Sequence, residues 1–289
     1  MTCEEWLSSW LSLRAGGLRP RTIDCYTGLI QRHIVPAIGS VELTELTPFQ
    51  VSAMLAAIAA TGHHRTAEQV YVLLKAALKS AALLQWLPRS PIDAVMRPAH
   101  TPRPGSAWTP EESRVYFAAA MRHPHKMAWL MALVFGLRRG EILGLHWSDI
   151  DLRTRRIHIR RQLVMLANGK LIEQPPKTAA GVRTLAIPPE VLPQIRKCYQ
   201  FGDTRIVNLT PNGLDCAHRA LLSNLNVPYI RLHDLRHTMA TNALRGGASM
   251  RALSDVLGHS DPTVTTRFYT HPDEILLANT IAAAALAVL

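Results

Sequence analysis

The sequence predicts a mainly α protein with a small antiparallel β-sheet, divided into two domains. Three observations predict it. Apolar residues recur at helical spacing through most of the chain, and one stretch, about residues 155–188, alternates instead in the strand manner. Between the two regular parts, six prolines fall from Pro88 to Pro110, the composition of a linker. With 289 residues and a hydrophobic fraction of 48%, the chain can build two packed cores and does not have the composition of a disordered protein.

The first domain is assigned to residues 1–100 and is helical throughout. In "TIDCYTGLIQRHIVPAI" the apolar positions Ile23, Tyr26, Ile30 and Ile34 share one helix face. "TPFQVSAMLAAIAATG" offers Thr47 as a cap and Pro48 at the first helical position, and it stops at Gly62. "TAEQVYVLLKAALKSAALLQWL" is a long amphipathic helix with Lys75 and Lys79 four apart on one face. Residues 101–107 are assigned as linker.

The second domain, residues 108–289, opens on three helices, at "TPEESRVYFAAAMRH", "KMAWLMALVFGL" and "RRGEILGLHW". "RRIHIRRQLVML" then alternates as a strand, "NGK" turns the chain, and "RTLAIP" supplies a further short strand, which together predict one small antiparallel sheet. Helices are expected again over residues 189–200, 212–225, 233–246 and 249–258, followed by an apolar C-terminal segment.

Charge narrows the function. The net charge is +11, and the excess lies after residue 100, where 23 Lys and Arg face 14 Asp and Glu. Only six residues are lysines, so arginine supplies most of the excess, and its planar fork of donors matches phosphate oxygens. A polyanion such as nucleic acid is the expected partner. Cys3, Cys25, Cys198 and Cys216 are scattered, without zinc spacing or a disulfide framework, and are expected to be reduced thiols in a cytoplasmic protein. The N-terminus carries Glu4 and Glu5 where a signal peptide needs positive charge. The apolar run over residues 275–289 is shorter than the roughly 20 residues a membrane helix needs, so no membrane role is expected.

One stretch concentrates chemistry. "HDLRHT" places His233, Arg236 and His237 within five residues, and on a helix positions three and four further on share a face. A zinc site would need a third ligand, and the HExxH pattern is absent, because positions 234 and 235 are Asp and Leu. An anion clamp fits better, since a helix start and an arginine both favour phosphate. His237 is expected to be structural. Taken alone the pattern is weak. It gains weight from "GLRRGE" with Arg138 and Glu141, "PPKTAAG" with Lys177 expected at the hairpin between two strands, "LGHS" with His259 and "TTRFYTH" with Tyr269, in that order. The other tyrosines, Tyr26, Tyr71, Tyr116, Tyr199 and Tyr229, stand in apolar or helical contexts and are expected to pack.

Together these motifs resemble the tyrosine recombinase (phage integrase) family, and the resemblance covers essentially the whole chain. "LRPRTIDCYTGLIQRHIVPAIGSVELTELTP" is similar to the core-binding helical domain of phage and mobile-element integrases. The resemblance implies a helical N-terminal core-binding domain joined to an α+β tyrosine-recombinase catalytic domain. It implies site-specific cleavage and rejoining of DNA through a 3′-phosphotyrosyl intermediate, without metal, ATP or other cofactor. Tyr269 is then the nucleophile, Arg138 and Arg236 grip the nonbridging oxygens, and Lys177 protonates the leaving 5′ oxygen. His233 assists proton transfer with the tyrosine, His259 hydrogen-bonds the phosphate, and Glu141 braces neighbouring helices.

The implied partners are double-stranded recombination sites, a homotetramer on synapsed DNA with a monomeric form in solution, and an accessory bending or directionality factor. The implied location is the bacterial cytoplasm, in association with the nucleoid. The C-terminal segment is expected to pack on a neighbouring protomer. Many phage integrases carry a further small domain that binds arm-type sites ahead of this one, so the expectation is either a simpler two-domain recombinase or a chain whose N-terminus has been removed. In the first domain, whose net charge is only +2, Arg19, Arg21, Arg65, Lys75 and Lys79 are the candidate DNA contacts. Three alternatives stay open: a Xer-like chromosome or plasmid resolution recombinase, a type IB topoisomerase-like enzyme sharing the chemistry, and a DNA-binding regulator without activity.

Overall fold

The computed structural model describes residues 1–101 and 105–258. These divide into two compact units, one of residues 1–101 with Leu166–Lys170, the other of residues 105–165 and 171–258.

The first unit is built from α1 (Cys3–Ala15), α2 (Pro20–Leu29), a short α3 (Val35–Ile38), α4 (Pro48–Ala60) and α5 (His64–Leu83). Sequence chemistry sets the helix starts. Thr2 with Glu5, and Thr47 with Gln50, form reciprocal capping boxes that satisfy otherwise orphaned N–H groups. The expected continuous helix over residues 22–38 is interrupted by one π turn, Ile30–Ile34. Pro36 accounts for it. A proline has no N–H and its ring crowds the carbonyl four residues back, so the preceding turn widens. Trp6, Trp10, Ile34, Val51, Leu74 and Leu78 fill the core. The indole of Trp6 donates to Ala77 O at 3.1 Å and that of Trp10 to Ser80 Oγ at 3.1 Å, which lays α1 along α5. Ile92 and Val95 are also buried in this core, so the proline-rich stretch begins as packed structure rather than linker.

The second unit comprises α6 (Pro110–Ala120), α7 (Lys126–Leu133), α8 (Arg139–Gly144), the strands β1 (Ile150–Asp151), β2 (Arg156–Ile159), β3 (Gln162–Met165), β4 (Leu171–Gln174) and β5 (Arg183–Ala186), then α9 (Leu192–Cys198), α10 (Pro211–Leu222), α11 (Asp234–Arg245) and α12 (Met250–Leu257). Met127 to Ala132 of α7 are all buried, so this apolar helix forms the centre of the unit. Ala240, Leu244, Leu253 and Leu257 form a smaller cluster that joins α11 to α12.

The strands are antiparallel, as the alternation predicts, but they form two ladders rather than one sheet. One has the order β1-β2-β5, with Ile157 opposite Leu185 and Ile159 opposite Arg183. The other is the β3-β4 hairpin. The break falls at Arg160 and Arg161. Arg161 turns inward to the fully buried Asp149, donating from Nη2 to Oδ1 at 3.2 Å, and takes the chain out of the first ladder. One consequence matters for the site. Lys177 stands on the connection between two ladders and not on a hairpin turn.

Candidate active site

The site grows from two helix starts. After α7 the chain turns at Gly136, where φ is +62°, and Arg138 then takes the extended conformation of an N-cap, so α8 begins at Arg139. Glu141, three residues on, accepts the Arg138 backbone N–H at 3.0 Å and its Nη1 at 2.8 Å. The Arg138 side chain is left at the protein surface, 36% exposed, with Nη2 donating to Gly258 O at 3.2 Å.

The second start is that of α11. His233 is its N-cap, and Arg236 follows one turn later, only 4% exposed. Arg236 donates from Nη1 to Gly136 O and from Nη2 to Leu257 O, both at 2.7 Å. Both guanidiniums therefore donate to the C-terminal end of α12, Arg138 to Gly258 O and Arg236 to Leu257 O, while Arg236 also donates to Gly136 O, two residues before Arg138 in the chain. Asp234 is buried and accepts Nε and Nη2 of Arg231 at 2.8 and 2.9 Å. Its charge in the first turn also favours the helix dipole.

Arg138, Arg231 and His233 border a cleft of about 640 Å³. Arg138, Arg139, Arg219 and Arg231 line it, together with Tyr229 and His233. Among the described lining residues Asp215 is the one carboxylate, and it is paired with Arg139. Such a surface suits a phosphodiester backbone, whose paired nonbridging oxygens match the planar fork of a guanidinium.

His233 opens to the cleft at one side, but its ring is crowded at the other. It meets His237 edge to face, with ring centroids 5.1 Å apart. Burial, then the His237 and Arg236 charges, push its pKa down to about 4. A neutral imidazole at physiological pH can accept a proton. The group is depressed in the folded state from 6.5, so its contribution to stability is intact above 6.5 and is lost as pH falls from 6.5 through about 4. The melting temperature of His233→Gln is expected to fall less steeply with acid over that window than that of the parent; equal slopes would contradict the assignment. Burial lowers the pKa of His237 too, and its half-buried ring lies against Gly105.

Glu141 is 2% exposed. Burial alone would raise its pKa, but hydrogen bonds and charge from Arg183, with the charge of Arg138, outweigh that and hold it below the usual carboxylate range. Arg183 itself is 7% exposed. Glu141→Ala strands this buried cation, and the expected cost is about 3 kcal/mol in denaturant unfolding. A loss under about 0.5 kcal/mol, the size of an ordinary surface change, would contradict it.

The other expected site residues fall as follows. Lys177 is exposed between β4 and β5, makes no hydrogen bond or ion pair to a described residue, and does not line the cleft. His259 and Tyr269 lie outside the described residues, as does the C-terminal segment. Arg19 is half-buried at the cap of α2, while Arg21 and Arg65 are exposed. Lys75 and Lys79 are exposed on α5, with Lys75 Nζ 5.8 Å from the centre of the Tyr71 ring.

Two results depart from the sequence expectation. Tyr229 does not pack: it is 63% exposed and lines the cleft. Arg183 was not singled out, because a lone arginine opening a short strand carries no sequence signal. The four cysteines are free thiols, and among the described residues no helix is long and apolar enough to cross a membrane.

An α+β unit with an arginine-lined cleft, a helix-start arginine braced by a buried glutamate, and a His-x-x-Arg helix, preceded in the chain by a helical unit, defines a class: the tyrosine recombinases, which cleave and rejoin DNA at specific sites. The chain belongs to the phage integrase family. Residues 109–274 match that family, and residues 4–97 match the phage integrase central domain.

Among curated relatives, a XerC-like tyrosine recombinase of Caldanaerobacter subterraneus is 29% identical over 56% of this chain and 49% of its own length. The integrase of Mycobacterium phage L5 is 28% identical over 93% of this chain and 75% of its own length. The chain thus spans about half of the first relative and three-quarters of the second. Two solved structures share the fold. The Tn1549 transposon integrase in complex with transposon right-end DNA has a TM-score of 0.79 and 21% identity, over 99% of this chain and 100% of that one. A lambda integrase tetramer bound to a Holliday junction has a TM-score of 0.66 and 21% identity, over 91% of this chain and 79% of that one.

Proposed function

We propose that the chain is a phage or mobile-element integrase that uses Tyr269 to break one DNA strand and transfers it to a second end. The Tyr269 oxygen attacks the scissile phosphorus and its proton passes to His233. The bond from phosphorus to the 5′ oxygen breaks as Lys177 protonates that oxygen, leaving a 3′-phosphotyrosyl link and a free 5′ hydroxyl. Arg138, Arg236 and His259 neutralise the nonbridging oxygens, where charge builds up in the transition state. A 5′ hydroxyl of a second DNA end then reverses the steps, so the phosphodiester bond is conserved without ATP.

The observation that carries this reading is the common anchoring of Arg138 and Arg236. Residues far apart in sequence donate to adjacent carbonyls at the end of α12, Arg138 to Gly258 O and Arg236 to Leu257 O, and Arg138 and His233 border one cleft. The mobile-element reading is favoured over Xer-like resolution because the phage relative aligns along 93% of the chain and the XerC-like one along 56%.

DNA is the substrate, and the working form we propose is a homotetramer on two synapsed sites, monomeric when free, in the bacterial cytoplasm at the nucleoid. The lambda tetramer supports that assembly. An accessory bending or directionality factor belongs to the same proposal. In the first unit the exposed α5 face bearing Arg65, Lys75 and Lys79 is the proposed DNA contact, with Arg19 and Arg21 beside α2. Residues 1–100 and 108–289 are the proposed functional domains, joined by 101–107.

A nicked suicide substrate tests the chemistry, because the cleaved end diffuses away and traps the adduct. A covalent protein–DNA product is expected, followed by strand exchange between two marked sites. No adduct on any genomic attachment sequence would leave a DNA-binding regulator. An adduct with relaxation but no exchange would indicate a topoisomerase.

A further inference from the structure

We propose that Arg183 is a positioning residue for the reaction: it locks the connection that carries Lys177 onto the Arg138 side of the site. This deepens the reading above and rests on the role of Lys177 as the donor to the leaving oxygen.

Lys177 needs such a device. It is exposed, and no described side chain holds its ammonium group, so the backbone on either side must determine where the ammonium can reach. That backbone is closed on itself. The Gly181 N–H donates to Thr178 O at 2.9 Å, and a Cβ at Gly181 would stand 2.5 Å from Pro176 Cβ, so the residue before Lys177 is seated on Gly181. The closed loop is then tied outward by one guanidinium. Arg183 donates from Nη1 to Gly181 O at 3.1 Å and to Glu141 Oε1 at 3.2 Å. It donates from Nη2 to Glu141 Oε2 at 3.0 Å and from Nε to Val256 O at 2.7 Å.

One side chain therefore joins three elements: the Lys177 connection, the glutamate that braces Arg138, and the C-terminal end of α12. Gly258 completes the arrangement. It ends α12 with φ +64°, its carbonyl accepts from Arg138, and a Cβ there would stand 2.7 Å from Ala180 O. Arg138 and Lys177 act on the same phosphate, one on a nonbridging oxygen and one on the leaving oxygen, so an error in their separation bears directly on the rate. A lysine at 183 would keep the charge opposite Glu141, but a single ammonium cannot span four acceptors fixed by a planar fork.

The test separates positioning from mere stability by changing the leaving group. A substrate with sulfur in place of the bridging 5′ oxygen departs as a thiolate and needs no proton from Lys177. With the full chain and single-turnover conditions, Arg183→Gln is expected to slow cleavage of the ordinary phosphodiester by about 100-fold, the low end of a general-acid contribution, with DNA affinity within about threefold of the parent. Most of that loss should be recovered on the sulfur substrate. Lys177→Ala should behave likewise, and the double variant should be no slower than Lys177→Ala alone. If Lys177→Ala is recovered but Arg183→Gln is equally slow on both substrates, Arg183 does not act through Lys177 and the inference falls alone. If Lys177→Ala is not recovered, the donor role of Lys177 fails and takes the inference with it. Should Arg183→Gln not fold, Arg183→Lys carries the same comparison; if neither folds, Arg183 is a stability residue and the inference is overturned.

Discussion

Tyr269→Phe is expected to form no covalent DNA adduct at all, while Tyr229→Phe forms one at close to the parent rate. The first change removes one oxygen, and that oxygen is the proposed nucleophile. No neighbouring group can substitute for it without a new geometry, so the effect is a loss and not a reduction. The control matters because the cleft contains its own tyrosine. Tyr229 is exposed at its edge, near Arg231 and His233, and by position alone could compete for the role. What favours Tyr269 is its polar setting in "TTRFYTH" and its place after the His259 motif, the position that the resemblance to the family implies for the nucleophile. Gel separation of the adduct from a suicide substrate decides the matter. Adduct lost in Tyr229→Phe and kept in Tyr269→Phe would move the nucleophile to the cleft's own tyrosine.

The second large effect is expected at Arg236. Arg236→Lys should lower single-turnover cleavage by about 10³-fold, the upper range for removing one donor to a developing oxyanion. The charge survives this substitution, but the fork does not. Arg236→Ala should do the same and also destabilise the unit. It strands the Gly136 and Leu257 carbonyls that the guanidinium now satisfies, and each buried unpaired group costs about 1–3 kcal/mol. His237→Ala is the matched control on the same helix. It should leave cleavage within a few-fold and mainly lower the melting temperature, since this ring packs against His233 and Gly105. Equal losses of cleavage at both positions would mean that α11 acts only as a scaffold. Unimpaired cleavage by Arg236→Lys would remove Arg236 from the phosphate.

Much of the fold was legible because its signals are local. Helical periodicity, Thr caps with Pro at the first position, and the strand alternation after residue 155 each depend on neighbours a few residues apart. The failures are equally instructive. Six prolines mark a linker by composition, yet Ile92 and Val95 are buried in the first core, because a 3₁₀ turn tolerates proline while packing its apolar residues. A single sheet was expected where two ladders stand, because alternation reports which residues face a core and not which strands pair. Tyr229 looked like a packing residue because its sequence context is apolar, whereas its exposure depends on what α8 and α10 leave open beside it.

By itself, then, the sequence determined the element types, the two-part organisation and the family, and it supplied the residues proposed for the chemistry, including Arg138, His233 and Arg236. Those follow from short-range patterns and from the order of motifs. The tertiary structure alone decided how they are held. It tied Arg138 and Arg236 to adjacent carbonyls at the end of α12, buried Glu141 between two guanidiniums, put Lys177 on a connection between ladders, and made Arg183 the tie among them. The physical reason is that a buried ion pair and a backbone carbonyl acceptor are long-range facts. Arg183 and Glu141 lie on different elements, and nothing in either local sequence states that each is the other's counter-charge.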